Sequence, residues 1–373
     1  MTADRPDQAP KRPLTSSHGS RDPGLDALRG FAILMVIIHH VGLKFPTAVK
    51  STLGSFFVGI GWGGVDLFFA ISGFLITRIL LDVEGWNGIR GFFVKRFFRI
   101  VPLYVVALGV FLAASLLFGQ DREVIARLWM NLLFLTAWVI PFVGENGVPY
   151  TITWSVSVEE TAYLVFGMLA LLGRGVLRKG LVWIVIAAVG IRFALVSGGF
   201  LPESAYYFAP GRLDAIALGG IAAMMLQRNL MLGRYAVPLL FLATVAMLGV
   251  LTVLSRHNSY VAVLGYTGVG IFAAWLVAAI SITEGGRDNF VVQLLAKLGL
   301  VSYFVYLFHG FIIAAMHMAL PVALANRIPV EVLSLLAVLL TYVPAVISWK
   351  YFELPMIAVG RRLADGMRSP AAA

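Results

Sequence analysis

"VIARLWMNLLFLTAWVIPFV", residues 124–143, is apolar enough to cross a membrane, and whether it does so sets the side of every loop after it. It starts around Arg127 and runs into Pro141, so neither end is a clean span terminus. The rest of the chain carries ten further candidate spans, near 27–43, 56–81, 99–118, 156–173, 180–198, 212–227, 235–254, 260–282, 299–320 and 331–352. Most match the ~20 apolar residues a crossing helix needs. With 124–143 held out of the count and the N-terminus inside, 21 of the 29 lysines and arginines fall on the cytoplasmic side. That asymmetry is what membrane insertion favours. If 124–143 crossed, all later loops would change side and the asymmetry would collapse. The segment is therefore expected to be re-entrant, interfacial or a bent outer loop, with both termini cytoplasmic.

Composition fits this reading. Hydrophobic residues make up 60% and charged residues 13% of the 373, with a mean hydropathy of +0.88, whereas soluble domains carry about 45–50% apolar and about 25% charged residues. The expected fold is all-α and polytopic, with about ten transmembrane helices, because the ~10-residue alternating strands of a membrane barrel are missing. Cysteine is absent, which excludes disulfides, thiolate metal sites and a cysteine nucleophile. No three-ligand metal spacing is present, and no metal is expected. The net charge of +10 is read as topology plus attraction to the inner leaflet, with no nucleic-acid partner. Residues 1–24, with Pro6, Pro10, Pro13 and Pro23, form a disordered cytosolic tail. Residues 25–358 form one transmembrane domain and 359–373 a cytosolic C-terminal tail. The first span is an uncleaved anchor, because Lys44 and Phe45 follow it in place of a small-residue cleavage site.

Ionisable residues inside spans are expensive, which makes each a functional candidate. In "RGFAILMVIIHHVG", residues 29–42, Arg29 and His40 are eleven residues apart, about 20° from alignment at ~100° per residue. His39 lands about 80° away. His40 thus shares a face with Asp26 and Arg29 and stands about 16 Å above the arginine. It either hydrogen-bonds a neighbouring helix or belongs to a site. Asp66, Glu159 and Glu160 enter their spans at similar depth, so three carboxylates can gather around the imidazole. A carboxylate on one ring nitrogen would make the other a better base. Arg96 and Arg99 in "FFVKRFFRIVPLY" share a face at the inner mouth of the third span. They either mark topology or form a fork for phosphate. The glycines of "GIGWGG", 59–64, permit a turn and close helix packing. His309 and His317 lie eight apart on one span as packing residues, site-lining groups or ligands, with packing or lining favoured, and Arg212 and Asp214 in "GRLDAIALGG" are expected to pair locally.

Seven stretches in order, "LDALRGFAILMVIIHH", "GGVDLFFAISGFLIT", "FFVKRFFRIVPLY", "TWSVSVEETAY", "GRLDAIALGG", "SYFVYLFHG" and "YFELPM", cover about 25–355. Together they resemble the acyltransferase-3 family of membrane O-acyltransferases, which includes O-antigen, exopolysaccharide, Nod-factor and macrolide acylating enzymes. The resemblance implies a multi-pass protein of the bacterial inner membrane that moves an acyl group from acyl-CoA, most often acetyl-CoA, to a hydroxyl of a carbohydrate or glycosylated small molecule, with membrane lipid as its surroundings. It puts the family's arginine–histidine motif on Arg29 and His40 and its arginine pair on Arg96 and Arg99, so that Arg29, Arg96 and Arg99 are the donor-binding candidates. His40, Glu159 and Asp66 are the catalytic candidates. Trp154, Ser155 and Ser157, with Glu160 and His309, are the substrate-binding candidates. Thr161 stands where glutamine is common and Leu354 where many members have arginine. His40 would act as a general base or as a transient acyl carrier. Two rival classes are a transporter or flippase of lipid-linked sugars, whose charges would line a path, and a noncatalytic partner that kept only the fold.

Overall fold

The computed structural model describes residues 22–119, 122–227, 258–283 and 286–367. Among the described residues eight helices are long and apolar enough to cross a membrane. The chain is a multi-pass, all-α membrane protein.

The first helix, α1 (Pro23–Lys44), starts where its sequence directs: Asp22 accepts a hydrogen bond from the Gly24 amide at 2.9 Å, and Pro23 occupies the first turn. Then come α2 (Thr52–Ile60), α3 (Gly64–Asp82) and α4 (Gly85–Leu117). The turn between α2 and α3 is the glycine run. A side chain on Gly61 would strike the Met35 carbonyl and one on Gly64 the Ala32 carbonyl, so these glycines let α3 begin flat against α1.

Residues 122–143 break into three short helices, α5 (Arg122–Ala126), α6 (Trp129–Leu132) and α7 (Thr136–Val143), bent at Phe134 with φ of 56°. None approaches the length of a span. Polar side chains hold the bend. The Asn131 amide donates to the Tyr150 carbonyl at 3.0 Å and to Thr153 Oγ1 at 2.9 Å, and the Tyr104 hydroxyl donates to the Asn131 carbonyl at 2.7 Å. Ser157 donates to the carbonyl of Phe134 itself. Unpaired amides at such a bend would be costly in lipid. The segment therefore folds back on α4 and on α8 (Trp154–Leu171), in keeping with its exclusion from the span count.

The later helices are α9 (Arg174–Ser197), α10 (Pro202–Tyr207), α11 (Ala209–Gln227), α12 (Tyr266–Ile282), α13 (Phe290–Leu300), α14 (Ser302–Ala319), α15 (Val322–Ala325), α16 (Val330–Ser348) and α17 (Leu354–Gly366). The ten expected spans differ from the eight found in two places. The span 235–254 lies outside the described residues. Residues 156–173 correspond to α8, which has 18 residues but, with its serines and two glutamates, is less apolar than the eight. The chain also stays helical through residue 358: α17 lies against α4, with Gly360 facing Phe98 and Lys95 Nζ 3.0 Å from Asp365 Oδ1.

Lipid tails are as apolar as leucine, so helices in a bilayer associate through close packing of small residues. Gly73 of α3 faces the backbone of Ile216 on α11, and Gly219 of α11 faces that of Ala70 on α3. Gly30 of α1 and Gly299 of α13 make the same reciprocal contact with Leu295 and Asp26. These crossings put α1, α3 and α11 at the centre. The buried share is 72% in the α2–α3 stretch and 17% in α9, whose Trp183, Ile186 and Phe193 face outward as lipid-facing side chains should.

Candidate active site

Three arginines from two helices meet at one place. Arg29 of α1 and Arg96 and Arg99 of α4 line one cavity. Arg29 and Arg96 both lie within electrostatic reach of Arg99. Arg29 is held by Asp26, Nη1 to Oδ1 at 3.2 Å, on the same turn. Arg96 lies over the rings of Phe92 at 5.6 Å and Tyr163 at 5.4 Å. Among the described residues the one carboxylate lining the cavity is Glu159, whose Oε1 accepts from Ser72 Oγ at 2.5 Å and from the Tyr163 hydroxyl. Three guanidinium groups against one carboxylate leave the cavity wall cationic, an arrangement suited to phosphate oxygens.

Ser155, Tyr303 and Tyr306 also line this cavity. The Tyr306 hydroxyl donates to the Ile152 carbonyl at 2.9 Å, so its oxygen accepts the Ser155 hydroxyl at 2.5 Å. One turn along α14 stands His309, whose ring centroid is 5.8 Å from that of Tyr306 and 4.9 Å from that of His40. Tyr306 therefore sits between the arginine cavity and a histidine pair.

The carboxylates do not gather at His40. Its Nδ1 is 2.8 Å from the Val36 carbonyl oxygen. A carbonyl only accepts, so Nδ1 carries the hydrogen and Nε2 the lone pair. The orienting role expected of Asp66 or Glu159 thus falls to the backbone of α1 itself. Asp66 is fully buried elsewhere, its Oδ1 2.6 Å from Arg212 Nη2, while Glu159 turns toward the arginine cavity. Glu160 is within electrostatic reach of Glu159 and Arg96 without lining that cavity. His39 points another way, its Nδ1 2.7 Å from the Val58 carbonyl, which ties α1 to α2. Ser157 is taken up by the bend at Phe134.

The local pair expected between Arg212 and Asp214 is not made either. Residues two apart on a helix point about 200° apart, so each finds a partner on another element. Arg212 takes Asp66 on α3, and Asp214 Oδ2 takes Arg192 Nη1 of α9 at 2.9 Å. Arg192 is satisfied further by the carbonyls of Val263 and Gly211 and by Thr267. Sequence reading missed it because one arginine in an apolar run carries no pairing signal. Arg212 is caged by Tyr266 at 4.6 Å, Tyr206 at 5.1 Å and Phe69 at 6.0 Å. Trp154 packs on Tyr206, Tyr207 and Phe69, so it builds this cage and does not line the cavity. Burial pushes the Tyr206 phenol well above its ordinary pKa, which keeps it neutral beside the arginine.

Removing one member of such a buried pair strands the other. Arg212→Met is expected to destabilise the folded protein by roughly 3–5 kcal/mol, with the double variant Asp66→Leu/Arg212→Met recovering most of that. Thermal unfolding in detergent reads both. Equal loss in the single and double variants would show that the pair is not the source of the stability.

Among the described residues no cluster of three or more histidines, aspartates and glutamates could hold a metal ion. The acyltransferase-3 family, described as an acyltransferase domain, matches residues 22–349. The chain is 25% identical over 358 residues to a protein of Staphylococcus aureus strain COL named provisionally as an O-acetyltransferase, covering 89% of this chain and 57% of that protein. It is 25% identical over 377 residues to YrhL of Bacillus subtilis strain 168, named provisionally as a peptidoglycan O-acetyltransferase, covering 93% and 56%. With the peptidoglycan O-acetyltransferase OatA of Listeria monocytogenes it shares 24% identity over 362 residues, covering 90% and 55%. The chain spans a little over half the length of these relatives. No solved structure matches it.

Proposed function

This chain belongs to the acyltransferase-3 family, and from that membership we propose that it is an O-acetyltransferase of the bacterial inner membrane, moving acetyl from acetyl-CoA to a hydroxyl of a carbohydrate. The observation that carries the reading is the convergence of Arg29, Arg96 and Arg99 on one cavity whose wall, at Tyr306, leads to His40 and His309. Beside the arginines the cavity is lined by apolar side chains, among them Val65, Phe68 and Ile100, which suit a slender chain. The donor's phosphates would sit on the arginines at the cytoplasmic end, and its pantetheine arm would extend along the bundle toward His40, about 16 Å further along α1. His40 Nε2 would take the acceptor's hydroxyl proton as that oxygen attacks the thioester carbonyl. Glu159 would keep Ser72 and Tyr163 in place around the arginines. The carbohydrate acceptor follows from what the relatives' names state of them.

The test is transfer of radiolabelled acetate from acetyl-CoA to alkali-labile carbohydrate ester in inverted membrane vesicles containing the protein. Labelled ester that depends on the protein supports the reading. Vesicles in which the protein moves lipid-linked sugar but leaves the thioester untouched would overturn it in favour of transport.

A further inference from the structure

Two imidazoles that both anchor Nδ1 to a backbone carbonyl carry the lone pair of the neutral ring on Nε2. That is the arrangement of His40 on Val36 and of His309, whose Nδ1 is 2.6 Å from the Tyr306 carbonyl. The rings stand 4.9 Å apart, centroid to centroid, at an interplanar angle of 60°. His309 is fully buried, and its Nε2 has no hydrogen-bond partner among the described residues. A buried acceptor of this kind costs free energy unless something comes to use it. Nothing in the packing of α14 requires it, because the Nδ1 bond to its own helix already fixes the ring.

We propose that His309 is the proton partner of His40: when His40 becomes an imidazolium, its Nε2–H is held by the Nε2 lone pair of His309. This rests on the reading of His40 as the base. The acceptor's O–H proton passes to His40 Nε2 as the new C–O ester bond forms and the C–S bond breaks, with the electron pair leaving on sulfur. The same proton then goes from His40 to the thiolate, which leaves as the thiol, so no proton is gained or lost overall. Between the two transfers a cation exists in surroundings with little water, where an unsolvated charge is costly. Rings whose centroids stand 4.9 Å apart are near enough for an N–H···N bond of about 3 Å. His309 thus serves as a positioning residue that stabilises the charged form of His40 and need not touch the substrate. The Nδ1–H bond to the Tyr306 carbonyl fixes the tautomer, so that in the neutral ring the lone pair is on Nε2.

The test compares His309→Gln, whose side-chain oxygen can still accept a hydrogen bond, with His309→Leu, which fills similar space and cannot. Full-length protein in inverted vesicles is assayed for acetyl transfer from acetyl-CoA, with acetyl-CoA binding measured in parallel. His309→Leu is expected to lower kcat by about 10²-fold with KM for acetyl-CoA and donor binding unchanged, and His309→Gln to recover at least a tenth of the wild-type rate. A folded His309→Leu protein with wild-type kcat would overturn the proposal. So would equal losses in both variants, since shape would then be all that matters. If instead His40→Ala itself retains transfer, the reading beneath the proposal fails, and the outcome is distinguishable because it does not involve His309.

Discussion

Replacing His40 by alanine is expected to lower acetyl transfer by about 10²–10⁴-fold, the range lost with a general base, while acetyl-CoA still binds. The prediction separates two histidines that are adjacent in sequence and engaged differently in space. His40 has its Nδ1 on the carbonyl one turn back in its own helix and its ring against His309, so its Nε2 lone pair is directed away from the helix that anchors it. His39 is 7% exposed and bonds across to α2. His39→Ala should therefore cost about 1 kcal/mol of stability for the lost hydrogen bond and leave the rate per folded molecule near wild type. Reversed effects, with His39→Ala inactive and His40→Ala active, would move the chemistry off the shared face of Arg29 and His40.

The second large effect is expected at the cytoplasmic end. Each charge-assisted hydrogen bond to phosphate is worth about 1.5–3 kcal/mol, so Arg96→Ala/Arg99→Ala should weaken acetyl-CoA binding by at least about 10²-fold and flatten its dependence on salt. The apoprotein should stay folded, because the substitution relieves the repulsion of Arg99 by Arg29 and Arg96. Lysine at both positions keeps the charge and loses the fork, and should fall between. Lys95→Ala is the control. That ammonium is partly exposed and already paired with Asp365, a surface bridge worth little. Isothermal titration with acetyl-CoA reads all of these. Unchanged affinity in the double alanine variant would return both arginines to a purely topological role.

The two alignments that feed the arginine cavity were legible in the sequence because each follows one helical repeat, whereas the meeting of Arg29 with Arg96 and Arg99 was not. Arg96 and Arg99 are three apart on α4, and Arg29 lies eleven residues from His40 on α1, so rise and rotation alone put each on a definite face and depth. Glu159 was legible as an intramembrane carboxylate, but its destination was not. Nothing local distinguishes a glutamate that will meet an imidazole from one that will meet Ser72 and Tyr163. The contribution of Tyr306 was hidden for a related reason: a tyrosine in an aromatic run reads as packing until the residues facing it are known.

What the sequence by itself determined is what depends on periodicity and on the cost of charge in lipid. This includes the all-α multi-pass fold and the alignment of Arg29 with His40 and of Arg96 with Arg99. What only the tertiary structure decided is which helix each polar side chain faces. Asp66 pairs with Arg212 and Asp214 with Arg192, His309 meets His40, and backbone carbonyls, not carboxylates, orient both imidazoles. The physical reason is that a buried charge or lone pair must be matched by whatever the packed bundle brings within hydrogen-bond reach. In this bundle that choice was set by where reciprocal glycines such as Gly73 and Gly219 let the helices cross, a property of pairs of helices that no single stretch of chain contains.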